Sequence, residues 1–158
     1  MGLNSLQYFW TRRTPEGAAQ DLERILRHYL SAWHKKSTIL IGYSLGADVL
    51  PFLASRLPNE TLDRVKLISL LGPGLSVDFE FHVTEWLGLP NKDPSHPVLP
   101  EVEKLKGKNI LCFYGDGEGN SLCKKLDQSL ARVVMLKGGH HFGGDYRVIP
   151  ETILKETE

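Results

Sequence analysis

Three short segments carry the side chains with the most chemistry in them. The first is Gly42-Tyr43-Ser44-Leu45-Gly46, a G-x-S-x-G pattern. A Ser hydroxyl becomes a nucleophile when a sharp turn between a strand and a helix lifts it out of the sheet. Small neighbours let the backbone turn that tightly, and the Leu45 N–H at the helix start is placed to bind a developing oxyanion. The second segment is Gly138-Gly139-His140-His141-Phe142. A Ser hydroxyl needs a base, and His is suited to the task because it titrates near neutrality. His140 is the preferred base and His141 the alternative. The third is Gly115-Asp116-Gly117-Glu118. A carboxylate there would fix the His tautomer and steady its positive charge. Glu118 is preferred and Asp116 is the alternative acid.

Each segment follows an apolar run, which defines the elements that must hold it. Ser37 to Tyr43, Arg64 to Leu71, Asn109 to Tyr114 and Arg132 to Leu136 read as buried strands. Gly2 to Trp10 reads as a further short strand. Thr14-Pro15-Glu16 has the hydroxyl cap and early proline of a helix start, and apolar residues at Leu22, Leu26 and Leu30 continue it. Leu45 to Leu57 reads as a second helix with Pro51 inside it, where a kink is expected. Shorter helices are expected near Val83 to Leu87, from Ser121 to Leu130 and from Tyr146 to Lys155. Strands alternating with helices predict an α/β fold with a mostly parallel sheet of about five strands between two helical layers. In such sheets the chemistry collects at the carboxyl ends of the strands.

The chain has 158 residues, enough for a single domain that buries its own core. Its 19 basic and 19 acidic residues cancel, which argues against nucleic-acid binding through bulk charge. No apolar run reaches the length of a membrane span, and no leader peptide is visible at Met1. No metal motif or nucleotide-binding loop occurs, so neither a metal nor another cofactor is expected. Cys112 and Cys123 are the two cysteines. Two free thiols in a reducing compartment and one disulfide in an oxidising compartment both fit their spacing. The connection Gly72 to Pro100 is long and rich in proline. Tyr43 and, within this connection, Asp78, Glu80 and Trp86 are the candidate pocket residues, the carboxylates suiting a cationic group.

Several segments resemble the VirJ/AcvB family of bacterial virulence proteins. They are Ser5 to Leu22, Ile41 to Pro58, Asp78 to Gly88, Leu111 to Cys123 and Lys137 to Tyr146. The order Ser, acid, His along the chain is also that of α/β-hydrolases. The resemblance implies an α/β-hydrolase fold, a periplasmic location, a link to type IV secretion and hydrolysis of aminoacylated phosphatidylglycerol, chiefly the lysyl form. It makes Ser44 the nucleophile, His140 the base and Glu118 or Asp116 the acid. A periplasmic location implies that Cys112 and Cys123 are joined. Members of the family carry strands upstream of Ser5, with a Gly-rich loop expected to supply a second oxyanion donor. Residues 1–158 therefore read as an N-terminally truncated domain whose exposed sheet edge invites pairing of two copies.

Two classes of function follow. One is a Ser hydrolase acting on an ester. The other is a non-catalytic binding or chaperone-like module that meets a secreted protein or a secretion system. Convergence of Ser44, His140 and a carboxylate is required by the first and not by the second.

Overall fold

Four of the apolar runs pair into one sheet whose strands all point the same way. The computed structural model describes residues 1–11, 13–79 and 96–157. Strands β1 (Thr38–Tyr43), β2 (Val65–Leu71), β5 (Ile110–Gly115) and β6 (Arg132–Leu136) form the sheet in the order β1-β2-β5-β6. Every neighbouring pair is parallel. The two-residue strands β3 (Ser76–Val77) and β4 (His96–Pro97) form a separate antiparallel pair.

The alternation of a strand sends its side chains to two cores. On one face Leu40, Ile68, Leu70, Ile110 and Cys112 pack with helices α2 (Pro15–Ala32), α3 (Leu45–Ala54) and α5 (Leu99–Glu103), the one-turn α4 (Asn59–Leu62) lying between α3 and β2 in the chain. On the other, Leu67, Leu71, Leu111 and Phe113 pack with Ile149 and Ile153 of α6 (Val148–Lys155). The chain is thus a parallel α/β sandwich, as its alternating elements predict. α2 begins where expected: the Thr14 hydroxyl accepts from the Gly17 amide at 3.0 Å and Pro15 is the first helical residue. α3 runs through Pro51 and is buried almost all round, from Val49 to Ala54.

Three expectations need correction. Gly2 to Trp10 is not a strand. Ser5–Tyr8 forms a one-turn helix, α1, capped by the Asn4 side chain, which accepts from the Gln7 amide. The segment is held by tertiary contacts: Phe9 is buried against Phe79, and the Tyr8 hydroxyl donates to Asp21. The parallel sheet consequently has four strands among the described residues rather than about five. The helix expected from Ser121 to Leu130 is a single 3-10 turn, Leu122–Lys125. Cys123 is bonded to Cys112 of β5, so the chain is pinned to the sheet there and has no room for more helix. The helix expected near Val83 to Leu87 lies outside the described residues.

Candidate functional site

The carboxyl ends of β1, β2, β5 and β6 bring the three chemical segments together. Ser44 sits between β1 and α3 with φ 53° and ψ −125°. That is a left-handed, strained setting for a residue with a side chain. Neighbouring bonds hold it there. The Ser44 amide donates to the Leu71 carbonyl at 2.9 Å, and its own carbonyl accepts from Ala47 at 2.7 Å. Gly42 makes the turn sterically feasible, since a Cβ there would lie 2.3 Å from the Gly46 carbonyl oxygen. The first turn of α3 leaves the Leu45 amide without an intrahelical acceptor, as at any helix start. Such amides attract negative charge.

His140 reaches Ser44 from the loop after β6. Its Nε2 is 2.9 Å from Ser44 Oγ, and its Nδ1 is 2.8 Å from Glu118 Oε1. A carboxylate can only accept, so Nδ1 carries the proton of the neutral ring and Nε2 accepts from the Ser44 hydroxyl. The other Glu118 oxygen accepts the Gly115 amide at 2.7 Å, which fixes the carboxylate against the end of β5. Asp116 points elsewhere: its Oδ1 accepts the Gly138 amide at 2.9 Å. It bridges the two loops and makes no bond to the imidazole that Glu118 meets.

Tyr43 and His141 form a second contact between the same loops. The Tyr43 hydroxyl lies 2.6 Å from His141 Nδ1, and the Tyr43 ring stacks on His140 with centroids 5.4 Å apart. Tyr43 therefore braces the His loop, and burial pushes its hydroxyl above the ordinary value. Asp78 follows β3. Glu80 and Trp86 lie outside the described residues.

Three features of the site carry no motif in the sequence. Gly72, with φ +61°, packs close against the imidazole: a Cβ there would be 2.9 Å from His140 Nδ1 and 3.5 Å from Glu118 Oε1. Asp48, one turn into α3, accepts the Gly74 amide at 2.6 Å. Burial pushes its carboxyl up to about 6, against the opposing pull of the Gly74 amide and the His140 ring. The bond between Cys112 and Cys123 closes the loop that holds Glu118. The sequence could have pointed to Asp48 by its spacing of one helical turn from Ser44. Gly72 depends on a contact distant in the chain, whereas the pairing of Cys112 with Cys123 is the one that the family resemblance implies.

A nucleophilic hydroxyl, a base and an orienting carboxylate in hydrogen-bonded series can perform acyl transfer. Known structures of similar shape share the fold that carries the site. The thioesterase domain from the curacin biosynthetic pathway matches with a TM-score of 0.55 and 15% identity, over 86% of this chain and 71% of that one. The esterase domain from a Rhodothermus marinus protein matches with a TM-score of 0.57 and 18% identity, over 85% and 65%. Naproxen esterase (carboxylesterase NP) from Bacillus subtilis matches with a TM-score of 0.58 and 17% identity, over 92% and 67%. The chain thus spans about two thirds of the length of each. At these identities the likeness shows the α/β-hydrolase fold. No curated protein sequence matches the chain. The sequence profile described as "Bacterial virulence protein (VirJ)" matches residues 1–158, and the chain belongs to that family.

Proposed function

We propose that this chain is a serine hydrolase that cleaves a carboxylic ester by a two-step acyl transfer. The observation that carries the reading is the unbroken series Ser44 Oγ, His140 Nε2, His140 Nδ1, Glu118 Oε1, with contacts of 2.9 and 2.8 Å. In the first step Ser44 Oγ attacks the acyl carbon while its proton passes to His140 Nε2. The carbonyl oxygen becomes an oxyanion beside the Leu45 amide. The tetrahedral adduct collapses, the ester C–O bond breaks, and His140 returns the proton to the leaving alcohol. In the second step water attacks the acyl-Ser44 ester and gives a proton to His140; the bond from the acyl carbon to Ser44 Oγ then breaks, His140 returns the proton to Oγ, and the acid leaves. Glu118 stays ionised throughout and stabilises the imidazolium.

The substrate class comes from the family. Its resemblance to the VirJ/AcvB proteins makes aminoacylated phosphatidylglycerol, chiefly the lysyl form, the proposed ester. The bond between Cys112 and Cys123 supports a periplasmic setting, because disulfides persist in oxidising compartments. No helix among the described residues is long and apolar enough to cross a membrane. The test is release of free lysine from vesicles containing lysyl-phosphatidylglycerol. The wild-type chain is expected to release it and Ser44→Ala is not. Release by neither overturns the substrate assignment.

A second reading concerns association. β1 ends the order of the parallel sheet, and Ile41 on it is 55% exposed. A strand edge with apolar exposure invites pairing, and we infer that two copies meet across β1. The same edge would serve a binding module that docks a secreted protein or a secretion-system component.

A further inference from the structure

Asp48 is a largely buried carboxylate that the acyl transfer above does not use. It lies in the first turn of α3, four residues after Ser44. Its Oδ1 accepts the Gly74 amide at 2.6 Å. Gly74 ends the tripeptide Gly72-Pro73-Gly74 that leaves β2, and each residue of the tripeptide is anchored to a different element. The Gly72 amide donates to the Phe113 carbonyl of β5 at 2.8 Å. The Pro73 carbonyl accepts from the Leu122 amide at 3.0 Å and from the Ser121 hydroxyl at 3.4 Å, next to the Cys123 bridge. Gly74 is held by Asp48. The tripeptide is the wall on which the imidazole rests, because a Cβ at Gly72 would lie 2.9 Å from His140 Cε1 and Nδ1.

We propose that Asp48 is a positioning residue: by holding the Gly74 amide it fixes the Gly72-Pro73-Gly74 wall at the depth where the His140–Glu118 pair meets Ser44 Oγ. This inference rests on the hydrolase reading. A carboxylate suits the task because a charged acceptor binds an amide about twice as strongly as a neutral one. Its placement links the helix that carries the nucleophile to the wall that seats the base, so the two move as one body. The Gly74 amide reaches it from the loop after β2, and His140, in the loop after β6, is near enough for its charge to pull the carboxyl down. Loss of the tether leaves the wall free to shift, and a displacement of about 1 Å in such a relay costs on the order of a hundredfold.

The test compares the wild-type chain with Asp48→Asn and Asp48→Ala. Asn keeps an oxygen acceptor on the same stem and Ala keeps none. With a p-nitrophenyl ester, Asp48→Ala is expected to lose about tenfold to a hundredfold in kcat with KM little changed, and Asp48→Asn to recover most of the loss. By NMR, the Gly74 amide proton is expected to titrate with a midpoint near 6 in the wild-type chain and to stay flat in Asp48→Asn. The Gly74 titration needs no Ala variant, so it decides the tether even if Asp48→Ala does not fold. Wild-type kcat in Asp48→Ala, equal losses in Asn and Ala, or a Gly74 resonance that does not titrate in the wild-type chain overturns the proposal. A wild-type chain that leaves the ester intact overturns the hydrolase reading itself, and a titrating Gly74 then marks a structural tether without a catalytic role.

Discussion

Glu118 spends both carboxylate oxygens, one on His140 Nδ1 and one on the Gly115 amide. In the proposed mechanism that bond keeps the proton on Nδ1 and leaves Nε2 free as base. Glu118→Gln presents an amide N–H to Nδ1 in one orientation, which favours the tautomer protonated at Nε2. The expected loss in kcat is about 10³- to 10⁴-fold, the scale seen for such a swap in a Ser-His-Asp enzyme. Asp116→Asn keeps an acceptor for Gly138 and should change kcat by less than about threefold, read with the same ester. Asp48 allows a pH argument. Its carboxyl is pushed from 3.8 to about 6 in the folded chain by burial. A raised carboxyl favours the protonated form in the folded state, so the cost of ionising it is absent below about pH 4 and complete above about pH 6. Asp48→Asn should therefore raise Tm at pH 7.5, by at most about 3 kcal/mol of stability, and the gain should vanish near pH 4. Thermal melts of both chains across that range check the sign.

Between elements, the crossing at β5 depends on the bond from Cys112 to Cys123. Both sulfurs are buried, and the loop they close holds Asp116 and Glu118. A closed loop of this size is worth about 3 kcal/mol through the unfolded chain. The paired substitution Cys112→Ala with Cys123→Ala should lower stability by about that much in chemical denaturation, and kcat should fall as the Glu118 loop loosens. An unchanged midpoint would contradict the assigned role of the bridge. This scale also shows what the sequence made legible. The four parallel strands and the helices α2, α3 and α6 are visible as apolar runs of the right period, because burial on two faces dictates composition. The segment Gly2 to Trp10 misleads because so short a run with apolar residues does not separate a strand from a single helical turn. Its helical turn is set by the Asn4 cap and the burial of Phe9, the second a contact far along the chain. The choice between Glu118 and Asp116 was equally local in sequence and equally non-local in fact. It turns on whether a side chain meets His140 or the Gly138 amide, 22 residues away in either case. Asp48 carries only its spacing of one helical turn from Ser44 as a signal, since its partner is a backbone amide.

For the whole molecule, the sheet presents two cores, and the site lies at one end of both. Helix α6 covers the face formed by Leu67, Leu71, Leu111 and Phe113, while Ile41 of β1 on the same side of the sheet remains exposed. Ile41→Lys places a charge on that edge and should shift the chain toward monomer in sedimentation velocity, with Tm changed little. A wild-type chain that sediments as a monomer at high concentration contradicts pairing through β1. The central claim is that Ser44 is an activated nucleophile. The most direct test is labelling with a fluorophosphonate probe, read by mass spectrometry on the peptide that contains Ser44. Covalent labelling of that Ser, absent from Ser44→Ala and strongly slowed in His140→Ala, is the predicted result. Labelling that is absent, or that persists unchanged in Ser44→Ala, would contradict it.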